Sequence, residues 1–123
     1  MFLIDPRSSV PLYEQLEENI ISLISAGALA PDDQLPSVRS LARDLGINPN
    51  TVQKAYSHLE ERGIIYQAAG RGSFVSPVGR AMDRIAQEKR DALSACVREA
   101  ARAGISREEI FALVHSLYEE DRT

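Results

Sequence analysis

The sequence predicts a mainly α-helical fold with one small β-hairpin, in which a winged helix-turn-helix precedes a two-helix hairpin. First, residues 38–45 and 52–59 repeat apolar side chains at the i, i+3, i+4, i+7 spacing of helices that have a single buried face. Second, residues 62–76 hold two short β-branched or aromatic runs around a glycine-bracketed arginine, a pattern typical of a hairpin. Third, residues 79–103 form a proline-free stretch rich in Ala, Arg and Glu, which indicates a long helix.

The N-terminal domain, residues 1–77, is expected to begin with an extended segment and a helix. Pro11 suits the first turn of that helix, where no backbone donor is needed, and Gly27 ends it after about Ala26. The side chains expected to face the core are Leu12, Leu16, Ile20, Leu23 and Ile24. Residues 2–10 start apolar enough to pack on a neighbouring surface, and the sequence leaves open whether that surface belongs to the same subunit.

A sharp turn is predicted between the second and third helices. Gly46 can adopt the left-handed conformation that ends one helix, and Asn48 can cap the next. Pro49 suits the first turn of that next helix. Two short helices joined in this way form a helix-turn-helix. DNA-binding proteins with this motif place its second helix in the major groove, although the motif also occurs in proteins that bind no DNA.

The outer face of the third helix is composed of amides and hydroxyls with one cation, at Asn50, Thr51, Gln53, Lys54 and Ser57. Asn and Gln amides pair with adenine edges, and hydroxyls suit phosphates. This composition favours a DNA-reading helix over the alternative, a solvated polar helix in a small bundle.

The hairpin that follows is interpreted as a wing with Arg71 at its tip, between Gly70 and Gly72. An arginine flanked by glycines can reach a minor groove or a phosphate without a neighbouring side chain in the way. The alternative is an ordinary hairpin with a solvated arginine.

In these segments the chain resembles the GntR family of bacterial transcription regulators. The matching motifs are Pro11-Leu-Tyr-Glu-Gln-Leu16, Gly27-Ala-Leu29, Leu35-Pro-Ser-Val-Arg-Ser-Leu-Ala42, Leu45-Gly-Ile-Asn-Pro-Asn-Thr-Val52, Ala55-Tyr56, Leu59-Glu-Glu-Arg-Gly63 and Gly70-Arg-Gly-Ser-Phe-Val75. The resemblance implies three helices with a two-stranded wing, acting as a homodimer on a double-stranded DNA operator with two-fold symmetry. The short tail is similar to that of the YtrA-like subfamily.

The resemblance also implies which residues bind DNA: Ser37, Arg39, Asn48, Asn50, Thr51, Gln53, Lys54, Gly70, Arg71 and Gly72. The chain departs from the family pattern at Pro49, where some relatives have an arginine, and at Ala68 and Ala69, where many have basic residues. The operator sequence and the affinity therefore do not carry over.

The tail, residues 78–123, is predicted to form two helices separated at Gly104. Ser106 and Glu109 make a capping box for the second helix, and residues 119–123 are expected to fray. Two helices cannot enclose a core alone, so we expect a second copy to complete a four-helix bundle, the alternative being that the tail folds back on its own domain. The expected dimerisation residues are Met82, Ile85, Leu93, Val97, Ile110, Leu113, Val114 and Leu117.

Charge is distributed unevenly along the 123 residues, whose net charge is −4. Residues 1–31 carry −3, residues 32–80 carry +1 and residues 81–123 carry −2. The segment expected to bind DNA is thus the only positive one, and its small excess predicts weak non-specific binding. Specific affinity should then depend on dimerisation.

Other functional classes are disfavoured. No arrangement typical of a nucleophilic enzyme or a phosphate-binding loop occurs, and two isolated histidines, His58 and His115, make a poor metal site. Cys96 is interpreted as a small buried hydrophobe. With no apolar run long enough for a membrane span and no signal peptide, we expect a cytoplasmic protein without a cofactor. The tail is too short to enclose an effector pocket, and any effector is left unknown.

The sequence thus predicts a dimeric repressor, and the resemblance suggests a membrane-transporter operon as its target. Two alternatives remain open: a winged-helix module that docks protein rather than DNA, and a truncated relative of family members that carry an aminotransferase-like domain. The sequence does not distinguish an activator from a repressor, nor does it identify the operator or the inducing signal.

Overall fold

The computed structural model of the chain describes residues 2–121. In these residues the elements are, in order, α1 (Leu12–Ser25), α2 (Val38–Leu45), α3 (Pro49–Glu61), β1 (Ile65–Ala68), β2 (Gly72–Val75), α4 (Arg80–Arg102) and α5 (Arg107–Asp121). This order confirms the predicted fold class, a winged helix-turn-helix followed by two helices. The described chain forms two compact units that meet between Ala86 and Gln87, called here the first and the second unit.

The core of the first unit lies between α1, α3 and the wing. Leu16, Ile20, Val52, Leu59 and Val75 have no exposed surface. Burying a Leu, Ile or Val side chain stabilises a fold by about 1.5–3 kcal/mol, so these residues together hold α1, α3 and the hairpin in one body. α2 joins the same cluster through Leu41 and Ala42. The buried face of α1 differs from the predicted one: Glu17 and Ile21 are also buried, while Leu12 and Leu23 are only half-buried.

The turn between α2 and α3 has the predicted caps. Gly46 has φ +68°, and its amide donates to carbonyls of the last turn of α2. The Asn48 side chain accepts a hydrogen bond from the amide of Asn50 at 2.8 Å, and Pro49 is the first residue of α3. Tyr56 Oη donates to the carbonyl of Pro36 at 2.7 Å, which ties α3 to the segment before α2.

The sequence left open which subunit the N-terminal segment contacts. In the structure the segment contacts α1 of its own chain. Asn19 of α1 accepts a hydrogen bond from the amide of Leu3 at 2.8 Å and donates to its carbonyl at 2.7 Å. Gln15 makes the same pair of bonds with Asp5, at 2.7 and 3.0 Å. Two amide side chains of α1 therefore satisfy the backbone of the segment as a neighbouring strand would.

The start of α4 belongs to the core of the first unit. Ala81 is 3% exposed and Ile85 is 6% exposed, and both lie in the same apolar cluster as the buried residues of α1 and α3. Ile85 was expected on the dimerisation face, whereas in the single chain it is already buried. The predicted domain boundary between residues 77 and 78 stays a prediction. The two compact units meet nine residues further on, because Ala81 and Ile85 pack into the first unit.

The second unit exposes most of its apolar side chains in the single chain. No residue of α5 is buried, and Leu93, Leu113 and Leu117 are each at least half exposed. The prediction that Cys96 is buried is wrong for the single chain, because the face of α4 on which it lies is uncovered.

The end of α5 is helical through Asp121. The predicted fraying is therefore wrong for residues 119–121, while residues 122 and 123 lie outside the described part of the chain. At the other end of α5, the Ser106 side chain accepts a hydrogen bond from the amide of Glu109 at 3.1 Å, as the capping box predicted. None of the helices in residues 2–121 is long and apolar enough to cross a membrane.

Candidate nucleic-acid interface

The outward face of α3 carries the polar side chains that the sequence placed there. Asn50, Gln53 and Lys54 are exposed, whereas Thr51 and Ser57 are half-buried. The opposite face of α3 is buried through Val52, Ala55, Tyr56 and Leu59. This apolar face packs against the rest of the first unit, so the amides of α3 face solvent.

Gln53 is held along the helix rather than projecting from it. Its Nε2 donates to Ser57 Oγ at 3.0 Å, one helical turn away. Pairing with an adenine uses both the oxygen and the nitrogen of a Gln amide. To read a base in that way, Gln53 has to exchange the Ser57 hydrogen bond for one with DNA.

Lys54 lies over an aromatic ring of α1. Its Nζ is 4.0 Å from the ring centroid of Tyr13, a cation–π geometry. The ring of Tyr13 in turn meets His58 edge to face, with centroids 5.4 Å apart. α3 is the second helix of the helix-turn-helix and is called here the recognition helix; its cation is thus directed toward the start of α1.

A buried carboxylate anchors this group of side chains. Glu17 Oε1 lies 3.5 Å from His58 Nδ1 and 3.7 Å from Arg62 Nη1, and the Glu17 side chain is 8% exposed. Burial raises the pKa of Glu17, while the nearby His58 and Arg62 oppose that rise. This contact was not predicted from the sequence. The available signals were a Glu on the core-facing side of α1 and two basic residues four positions apart, His58 in α3 and Arg62 at its C-cap.

The start of α2 presents the next predicted DNA-binding residues. Ser37 is the N-cap, and its Oγ accepts from the amide of Ser40 at 3.1 Å. Arg39 lies in the first turn and is exposed. Because a helix N-terminus carries partial positive charge, a cation there adds to a surface that favours phosphate.

The wing forms the predicted two-stranded hairpin, with Ile65 opposite Val75 and Ala68 opposite Gly72. Arg71 lies in its turn and is exposed, and its amide donates to the carbonyl of Ala68 at 2.9 Å. Gly70 and Gly72 have φ of +73° and +119°, conformations that residues with a Cβ rarely adopt.

All ten predicted DNA-binding residues lie in the first unit, nine of them exposed and Thr51 half-buried. The predicted dimerisation residues are divided. Met82 and Ile85 lie in the first unit, while Leu93, Val97, Ile110, Leu113, Val114 and Leu117 lie in the second. The latter six line one apolar groove between α4 and α5, together with Cys96 and Ala100.

Residues 12–75 match the model of the family described as bacterial regulatory proteins, gntR family. The chain is 51% identical over 76 residues to the HTH-type transcriptional repressor YtrA of Bacillus subtilis. The match covers 62% of this chain and spans 58% of the length of that repressor.

Solved structures of similar fold extend the comparison. A GntR family transcriptional regulator from Listeria monocytogenes superposes with a TM-score of 0.75 at 33% identity, over 92% of this chain and 98% of that chain. The DNA-binding domain of AraR, solved in complex with operator ORX1, gives a TM-score of 0.54 at 33% identity, over 60% of this chain and 92% of that chain. In that structure, the AraR domain that this chain resembles is in complex with its operator.

Proposed function

The chain belongs to the gntR family of bacterial regulatory proteins, and on that premise we propose that it is a repressor that binds a two-fold symmetric DNA operator as a homodimer. The observation that carries the proposal is the pair of exposed amides on α3, Asn50 and Gln53, in the same unit as the exposed arginine of the wing tip. Amides of this kind read base edges, and a wing arginine contacts a phosphate or a minor groove. A relative that is a repressor and a similar domain observed on an operator support the same function.

The proposed contacts divide into two kinds. Asn50 and Gln53 read bases, because they are the exposed amides within the helical part of α3. Arg39, Lys54 and Arg71 bind the DNA backbone or the minor groove, which positions the protein without fixing the base sequence. The remaining predicted residues support these contacts in three ways: helix caps at Ser37 and Asn48, a hydroxyl at Thr51, and the shape of the wing turn at Gly70 and Gly72.

Dimerisation through the second unit is proposed from its uncovered apolar surface. α5 has no buried residue, so α4 and α5 do not enclose a core between them. A second copy placed on the groove around Val97 and Val114 would complete a four-helix bundle about a two-fold axis. Such a dimer presents two recognition helices to half-sites about 10 base pairs apart, centre to centre.

We propose two targets, the promoter of the protein's own gene and that of a membrane-transporter operon. The function is tested first on DNA upstream of the protein's own gene. Footprinting should reveal two protected half-sites related by a dyad, and added protein should lower transcription from that promoter in vitro. Equal affinity for the promoter fragment and for a scrambled fragment of the same length would contradict a sequence-specific regulator. The proposed role places the protein in the cytoplasm with the chromosome.

A further inference from the structure

The segment that joins α1 to α2 runs along β2 of the wing, with an isolated antiparallel bridge between Gln34 and Phe74. The amide of Asp32 donates to the carbonyl of Val75 at 2.9 Å, and the amide of Val75 donates to the carbonyl of Asp33 at 2.9 Å. The amide of Leu35 then donates to the carbonyl of Ser73 at 2.8 Å. β2 is thus paired on both of its edges, by β1 on one side and by this segment on the other, which fixes the wing to the body of the first unit.

Within this segment, the side chain of Gln34 reaches the turn of the wing. Its Nε2 donates to the carbonyl of Arg71 at 2.9 Å, across 37 residues of sequence. Gly72 comes next in the chain, and a Cβ built there would lie 2.9 Å from the same nitrogen. The Gln34 amide therefore occupies the space that the absent side chain of Gly72 leaves, directly beside the proposed DNA contact.

A second residue of the segment contacts a side chain of β1. Asp32 has φ +66°, an uncommon conformation for a residue with a side chain. Its Oδ1 accepts a hydrogen bond from Tyr66 Oη at 2.9 Å, and the ring of Tyr66 stacks on Phe74 at 5.5 Å. The guanidinium carbon of Arg71 lies 5.9 Å from the centroid of that Phe74 ring.

We propose that Gln34 is a positioning residue for DNA binding: its hydrogen bond to the carbonyl of Arg71 holds the wing turn in the orientation in which Arg71 meets DNA. A turn flanked by two glycines samples many backbone conformations when nothing else restrains it. Fixing it before DNA arrives lowers the entropy that is lost on binding, so the restraint strengthens binding without touching DNA. This inference rests on the proposed function, and specifically on the wing contact.

The test compares Gln34→Ala and Gln34→Met with wild type in DNA-binding titrations of the full chain. Met keeps the length of the side chain but has no donor, so its effect isolates the hydrogen bond. Each variant should bind the operator about 2- to 10-fold more weakly per subunit, the range expected for one lost hydrogen bond. Gln67→Ala is the matched control, because Gln67 is an exposed glutamine on β1 of the same wing, and it should bind like wild type.

Two further measurements separate positioning from a general structural role. In the free protein, amide hydrogen exchange should speed up at Arg71 and Gly72 in both Gln34 variants, while exchange in α3 stays unchanged. In the Arg71→Ala background, adding Gln34→Met should cause no additional loss of affinity, since there is no arginine left to position.

The outcomes distinguish the two proposals. If Arg71→Ala binds like wild type, the wing contact in the proposed function is wrong. If Arg71→Ala binds weakly while both Gln34 variants bind like wild type, the wing contact stands and the positioning role of Gln34 is overturned. Full additivity of the two changes would also overturn it, because Gln34 would then act independently of Arg71.

Discussion

Lys54 Nζ of the recognition helix lies 4.0 Å from the centroid of the Tyr13 ring, which belongs to the start of α1. A cation over an aromatic face is attracted to it and loses rotational freedom. Since Tyr13 is also in edge contact with His58, its ring has a fixed place between two residues of α3. The lysine is thereby directed to one side of the recognition helix, where a phosphate rather than a base edge is the expected contact.

Replacing Tyr13 should therefore weaken operator binding without changing sequence preference. We expect Tyr13→Leu to bind about 2- to 5-fold more weakly per subunit, in keeping with the strength of an exposed cation–π contact. Tyr13→Phe keeps the aromatic face and should bind like wild type. Fluorescence anisotropy titrations on the operator measure both variants, and tighter binding by Tyr13→Leu would show that the ring withholds Lys54 from DNA.

Salt dependence tests the proposed phosphate contacts as a set. With Arg39, Lys54, Arg71 and the backbone amides at helix starts acting in both subunits, about 4 to 8 counterions should be released on binding, giving a log–log slope of roughly −4 to −7. Lys54→Met should make the slope less negative by about 1 for each subunit. Titrations at a series of salt concentrations yield the slope directly, and a value near zero on the preferred operator contradicts the electrostatic contribution.

Base reading is tested with single-base variants of the operator. Asn50→Ala and Gln53→Ala should each relax preference at particular base pairs, by about 1–3 kcal/mol for each good contact that is lost. The Gln53 change should cost less than the Asn50 change, because Gln53 must first give up its bond to Ser57. Arg71→Ala should weaken all operator variants more evenly. Equal losses at every position for both amide variants would mean that neither residue reads bases.

The buried carboxylate of Glu17 predicts how stability depends on pH. Its folded pKa is raised, chiefly by burial, above the ordinary value of 4.5. The folded state therefore holds the proton more tightly than the unfolded state, and the contribution of Glu17 to stability is greatest below pH 4.5 and falls as pH rises through the folded pKa.

Glu17→Gln removes this dependence while keeping the shape of the side chain. As pH rises from 4.5, the unfolding free energy of wild type should fall relative to that of Glu17→Gln. The difference should stop changing above the folded pKa of Glu17. Denaturant unfolding at several pH values measures it. A difference that stays constant with pH would mean that the ion pairs to His58 and Arg62 fully compensate burial.

Local features of the fold were predictable from sequence, and contacts between distant segments were not. The caps at Gly46 and Asn48 act within a few residues of themselves, so residue type alone indicates them. The hydrogen bond from Gln34 to Arg71 joins residues 37 positions apart, and nothing in the local pattern selects that partner. Cys96 illustrates a different difficulty, because its apolar neighbours along the helix predicted burial that a single chain does not supply.

The second unit is expected to raise the affinity for DNA by holding two copies of the first unit together. In a dimer, once one first unit has bound its half-site, the other binds the second half-site as an intramolecular event at a high effective concentration. A monomer lacks this advantage. Leu113 is 58% exposed and lines the groove between α4 and α5, so Leu113→Asp puts a charge into the proposed bundle. This change leaves the first unit intact, whereas a truncation at residue 80 would remove Ala81 and Ile85 from its core.

Leu113→Asp should sediment as a folded monomer and bind a two-half-site operator weakly, with affinity close to that for a single half-site. Ser116→Asp is the matched control, since it adds the same charge to α5 at an exposed position outside the groove, and it should remain dimeric. Sedimentation and gel-shift titrations of both variants test the two steps separately. If Leu113→Asp stays dimeric and binds as tightly as wild type, the groove between α4 and α5 is not the dimer contact.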